Sequence, residues 1–135
     1  MKKLLNISFI YAIAALLGGV FYREFTKFNG FTGTTTLSIV HLHLLVLGMI
    51  VFLLLLIFEK LFDITQNKKF KPFLIFYNIG LLLMVIMLLI KGVTQVLGGT
   101  SNAMLAGIAG IGHILLAVGI ILLFVMLKQQ ISKKE

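Results

Sequence analysis

The sequence contains no cysteine. Disulfides, thiolate metal sites, iron–sulfur clusters and the thioether-attached haem of c-type cytochromes are thereby excluded. Acidic residues are nearly as scarce, four against twelve lysines and arginines in 135 residues. Those four, Glu24, Glu59, Asp63 and Glu135, fall in or beside loops and tails, so no apolar run holds a carboxylate that would complete a bare zinc or copper site. Proline occurs once, as Pro72, and neither an internal repeat nor a low-complexity tract is present. What the chain has in quantity is hydrocarbon: 60% of its residues are hydrophobic and 12% charged, with a mean hydropathy of +1.13. That is the composition of an integral membrane protein, whose first partner is the lipid bilayer. The formal charge of +8 does not indicate nucleic acid, because the basic residues cluster at the ends of apolar runs and not on one soluble face.

Four apolar runs, at residues 4–22, 36–58, 73–90 and 103–127, each approach the ~20 residues that a helix needs to cross ~30 Å of hydrocarbon. They lack the alternation of a barrel strand, so the expected fold is an all-α membrane protein, a single four-helix transmembrane bundle spanning residues 1–135. The first run has the basic start and Ala12-x-Ala14 pattern of a signal peptide. Its apolar stretch continues to Tyr22, which favours a retained helix. The connections are each about a dozen residues, too short for another domain.

If the helices alternate, Lys2, Lys3, Lys60, Lys68, Lys69, Lys71, Lys128, Lys133 and Lys134 share one side, and Arg23, Lys27 and Lys91 the other. The positive-inside rule then puts both termini in the cytoplasm. Pro72 marks the start of the third helix, where a missing N–H is harmless.

With that topology the stretch "IVHLHLLVLGM", residues 39–49, becomes the most informative part of the chain. At 1.5 Å per residue, His41 and His43 lie roughly 8 to 11 Å below the outer end of helix 2, and His113 roughly 15 Å below that of helix 4. These are the only histidines, and all three fall in the outer half of the bilayer. Residues two apart on a helix diverge by about 200°, so His41 and His43 address different neighbours. An ionisable ring in hydrocarbon is costly and is a functional candidate by default. One reading is hydrogen bonding between helices; the other is metal or cofactor ligation by neutral imidazole. A b-type haem needs one or two axial histidines, an apolar slot and cations near the aqueous edge for its propionates. His41, His43 and His113 are the candidate iron ligands. Arg23, Lys27 and Lys91, on the same side, are candidate propionate partners, or else interfacial anchors that snorkel. Small residues in "AGIAGIGHILLAVG" flatten the surface around His113. They also form small-xxx-small pairs, Ala103 with Gly107 and Ala106 with Gly110, as do Ala14 with Gly18 and Ala15 with Gly19, which helix packing uses. Tyr11, Tyr22, Tyr77, Asn78 and the methionines Met49, Met84, Met87, Met104 and Met126 are expected to serve mainly in belts and packing.

"TTTLSIVHLHLLVLGM" and "FIYAIAALLGGVFYREFTKFNGFTG" resemble a family of small, four-helix membrane proteins of unknown function, common in Gram-positive bacteria. The resemblance covers nearly the whole chain and implies a multi-pass protein of the bacterial cell membrane. The His-x-His pair is also distantly similar to catalytic subunit I of haem-copper oxidases and nitric oxide reductases, where such a pair ligates two haems from opposite faces of one helix. That subunit arranges twelve helices with pseudo-threefold symmetry, so the similarity implies a homotrimer of this four-helix chain, with haem b near subunit boundaries. It would make His41 and His43 axial ligands, and His113 a partner ligand or a supporting group. Three histidines do not supply the oxidase copper cluster, so the chain by itself is not expected to be an enzyme. The leading expectation is a haem-binding membrane protein for electron transfer, haem handling or gas sensing, its redox partner unidentified. The alternative is a cofactor-free accessory or scaffold subunit of a larger membrane complex; a small transporter would want broken polar helices, for which there is little beyond Asn78.

Overall fold

The computed structural model describes residues 1–100 and 103–133; Lys134 and Glu135 lie outside them. Its four long helices are α1 (Lys2–Phe28), α2 (Leu37–Phe62), α3 (Phe70–Val96) and α4 (Ala103–Ile131), each long and apolar enough to cross a membrane. All extend past the expected hydrophobic runs. Twenty-seven residues, the length of α1 and of α3, rise about 40 Å, which matches hydrocarbon plus headgroup layers and not hydrocarbon alone. Hydropathy registers only the segment in oil, whereas the helix continues into the headgroup region, carrying Arg23 and Lys27 in the last turns of α1. Pro72 stands in the first turn of α3, as expected.

Residues in left-handed backbone conformation follow three of the helices. Gly30 (φ 57°) follows α1, Asp63 (φ 49°) closes α2 and Gly98 (φ 75°) follows α3. The turn after Asp63 is fixed by side chains. Glu59 accepts from Thr65 N at 2.8 Å and Thr65 Oγ1 at 2.6 Å, and Gln130 Nε2 donates to the Asp63 carbonyl at 2.8 Å.

The bundle packs unevenly. At the end that carries the termini, Phe52, Leu55, Ile64, Phe73, Tyr77 and Met126 are sealed from outside. Ring centroids there lie 5.7 Å apart for Tyr11 and Phe52, 6.0 Å for Phe52 and Tyr77 and 5.4 Å for Phe73 and Tyr77. Helices α3 and α4 form a close hairpin because glycines remove the side chains between them. A Cβ on Gly80 would stand 2.5 Å from Leu116 N, and one on Gly119 would stand 2.9 Å from Tyr77 Cα. At the far end α2 is tied to α3 by threonines: Thr35 Oγ1 donates to Gly92 O at 2.9 Å and Thr36 Oγ1 to Leu88 O at 2.8 Å. Most large apolar side chains of α1 and α4 face outward, among them Phe9, Leu16, Ile114 and Phe124, as expected where lipid replaces water.

The small-residue pairs divide in two. Ala15 is buried, and Gly18 and Gly19 lie within ordinary contact of Val40 and His41, so α1 uses its pairs against α2. A Cβ added at Gly107 or Gly110 would meet nothing within 4 Å. These two glycines leave an open surface instead of seating another helix of this chain, contrary to a packing role within it.

Candidate cofactor site

The middle of α2 is not a regular α-helix. Leu37–His43 is α-helical, Leu44–Ile50 is π-helical, and Val51–Phe62 is α-helical again. The sequence contains the reason. The buried residues Val40, Leu44, Gly48 and Phe52 recur every fourth position, and on a regular helix each such step drifts by about 40°. Wider turns hold all four on one face. Gly48 makes room for the approach of α1, since a Cβ there would meet the Tyr11 ring at 2.5 Å. Two carbonyls of the π-helical segment accept bonds from other helices: Tyr77 O–H donates to Leu47 O at 2.8 Å and Ser8 O–H to Met49 O at 2.9 Å. Tyr11 in turn donates to Asn78 Oδ1 at 2.7 Å. These polar groups therefore brace the helix that carries the histidines, in keeping with the structural role expected of Tyr11, Tyr77 and Asn78.

The three histidines differ in their surroundings. His43 is half-buried, with Nδ1 2.8 Å from Ile39 O, four residues back. His113 is exposed and makes the same bond to Ala109 O at 2.8 Å. A carbonyl only accepts, so in both rings Nδ1 carries a proton, and Nε2 is the nitrogen with the lone pair in the neutral form of each. His41 is half-buried against Gly18 and Gly19, and its Nδ1 is buried with no hydrogen-bond partner. A buried polar group without a partner costs about 1–3 kcal/mol, so His41, unlike the other two rings, has no bond through Nδ1 to orient it.

A groove of about 370 Å³ runs between α3 and α4. Met84, Met87, Leu88 and Lys91 form one wall, and Leu105, Ala106, Ala109, Gly110 and His113 the other. The structure thus brings Lys91 and His113 together and leaves His41 and His43 outside this groove. Arg23 and Lys27 are exposed at the end of α1 and do not line it; Arg23 lies 3.8 Å from Glu24. A second, larger groove of about 760 Å³ between α1, α2 and α3 is lined by apolar residues such as Leu17, Val40 and Leu89 and contains no histidine. Among the described residues, no three His, Asp or Glu side chains converge as a metal cluster.

The smaller groove gathers an imidazole, a lysine ammonium and a smooth stretch at Ala106, Ala109 and Gly110, the side-chain types that a b-type haem would use. Its volume lies within the ~300–1,000 Å³ of small-molecule sites.

The molecule is therefore a small multi-pass helical membrane protein with two half-buried histidines on α2 and an exposed one on α4. Over residues 1–130 it matches the family described as protein of unknown function DUF2871, and it belongs to that family. Neither a curated protein nor a solved structure matches the chain. No similarity to the haem-copper oxidase subunit is shown.

Proposed function

We propose that the protein binds haem b in the bacterial cell membrane, with both termini in the cytoplasm, and serves electron transfer, haem handling or gas sensing. The observation that carries this reading is the pair of imidazoles, His43 and His113, each with Nδ1–H committed to a backbone carbonyl and Nε2 left free on an apolar surface. Axial histidines are oriented by such a bond through their other nitrogen. His113 would hold the group in the α3–α4 groove, with Lys91 toward a propionate. His43 would serve a neighbouring copy, the arrangement a homotrimer provides. His41 is the poorest ligand of the three, because binding through Nε2 would leave an Nδ1 proton without an acceptor. When bound, haem supplies one-electron chemistry or, with an open axial position, diatomic gas binding. The chain's part is to orient the imidazole and exclude water.

The test is absorbance, oxidised and reduced, of protein purified from haem-supplied cells. The wild type is expected to show an intense Soret band. His113→Ala should abolish it, His43→Ala should shift it toward a five-coordinate spectrum, and His41→Ala should leave it in place. Absence of haem from every folded, haem-supplied preparation overturns the reading. The second reading, a cofactor-free accessory subunit, draws on the fact that α3–α4 groove residues include only one of the three histidines. It expects the same rings to bond to another chain.

A further inference from the structure

The end of the bundle that carries the termini holds a second arrangement, unrelated to the histidines. Two depressions meet there. One, of about 520 Å³, is lined by Val125, Lys128, Gln129, Ser132 and Lys133 of the α4 end. The other, of about 250 Å³, is lined by Gln66, Asn67, Lys68 and Lys69 of the α2–α3 turn together with Gln129 and Lys133. Gln129 and Lys133 belong to both. Among the described residues no carboxylate lines either one; Glu59, in the last turn of α2, accepts from Thr65.

The cradle is held in shape. Asn67 Nδ2 donates to Gln129 Oε1 at 3.2 Å, and Asn67 Oδ1 accepts from Lys69 N at 2.9 Å. Gln130, buried beside it, bonds the carbonyls of Phe62 and Asp63 at 3.2 and 2.8 Å. The α2–α3 turn is thus pinned to the end of α4, and four ammonium groups are gathered around a shared floor of amide and hydroxyl groups. Val125 adds an apolar side chain to the larger depression, on the side toward the middle of α4.

We infer that this cradle binds the headgroup of an anionic phospholipid from the leaflet at that end, with preference for a lipid that carries two phosphodiesters. Val125 takes the start of an acyl chain. Lysines and polar donors take phosphate oxygens, and two depressions sharing Lys133 accommodate two phosphates. Basic pockets between helices at a membrane edge recognise such headgroups. Scattered snorkelling lysines would attract anionic lipid without choosing among sites.

The experiment places the full chain in nanodiscs of phosphatidylcholine alone, with phosphatidylglycerol, or with cardiolipin, extracts it in mild detergent, and reads retained lipid by native mass spectrometry. Wild type should retain cardiolipin above phosphatidylglycerol and both above phosphatidylcholine. Lys128→Gln with Lys133→Gln should lower cardiolipin retention by at least roughly tenfold; Lys2→Gln with Lys3→Gln, an equal charge loss outside the cradle, should lower it far less; and Lys128→Arg with Lys133→Arg should preserve it. Equal loss in the two glutamine pairs, or no selectivity among lipids, overturns the inference. So does full competition by inorganic phosphate at matched phosphate concentration, which would make free phosphate the ligand.

Discussion

The two ends of this bundle are built on different principles. At the termini end the helices are sealed by aromatic rings and glycine-mediated backbone approach, with Phe52, Phe73 and Tyr77 inaccessible from outside. At the far end two grooves open between the helices, Gly107 and Gly110 face open space and His113 is exposed, while α2 and α3 stay joined through Gly92, Thr35 and Thr36. Water cannot drive helices together in lipid, so association rests on packing and interhelical hydrogen bonds. Where packing is given up, the surface becomes available to something else. A sealed end supports an open one.

The largest effect expected from breaking this contrast comes from glycine. Gly80→Leu drives a side chain into the backbone of α4, since even its Cβ would lie 2.5 Å from Leu116 N. Overpacking typically costs 1–3 kcal/mol, and backbone contact cannot be relieved by a rotamer change, so roughly 3 kcal/mol or more is expected. Size-exclusion chromatography and thermal unfolding in detergent should show loss of the folded species. Gly107→Ala, on the same α3–α4 hairpin but with open space around it, should leave the melting profile in place. Equal destabilisation by the two would mean that the far end is packed as closely as the other.

Next is Phe52→Ala, at the centre of the aromatic cluster. In water such a truncation costs about 3–5 kcal/mol. Within a bilayer part of that figure disappears, because the unpacked side chain would be in lipid; about 2 kcal/mol of lost contact is expected, read as a lower unfolding midpoint. Leu82→Ala, in the wall of the open α1–α2–α3 groove, should cost less than half as much. A smaller effect still is expected of Tyr77→Phe, which removes the donor to Leu47 O while keeping the ring. A net intramolecular hydrogen bond contributes about 1 kcal/mol, and hydrogen exchange at residues 44–50 of α2 should report the loosened π-helical turn.

The contrast between the ends was only partly legible in the sequence. Four spans are read directly from hydropathy, and the divergence of His41 from His43 follows from helix geometry. Helix ends were not legible, because the residues beyond Tyr22 or Ile90 are too polar to register as oil-soluble yet keep the helix going. Small-xxx-small spacing marks Gly18 and Gly19, which do pack, as readily as Gly107 and Gly110, which do not. That pattern records only that a face is smooth, not what lies opposite. Gly80, Gly112 and Gly119, which hold α3 against α4, become evident only when two helices are placed together. The π-helical turn left a trace in the four-residue steps from Val40 to Phe52, but its donors, Ser8 and Tyr77, are distant in sequence. The protonation pattern of the rings likewise depends on carbonyl positions that no spacing rule supplies. His113, expected as either a ligand or a supporting group, is the histidine that shares a groove with Lys91.

The smallest effect sharpens the comparison most. Lys91 is exposed at the rim of the groove that contains His113. In the cofactor-free protein, Lys91→Gln removes a snorkelling charge without leaving a cavity, and unfolding should shift by no more than about 0.5 kcal/mol. If haem is bound as proposed, the same change would remove a cation paired with a propionate. An exposed ion pair contributes up to about 1 kcal/mol, so haem affinity should fall about fivefold, with the Soret maximum unmoved because the axial imidazole is untouched. Arg23→Gln, at the same end but outside the groove, should change neither quantity. If the two substitutions weaken haem uptake equally, charge at that end acts diffusely and the groove is not where the macrocycle lies. A loss confined to Lys91→Gln ties affinity to one wall of one groove, as an open end built around a ligand requires.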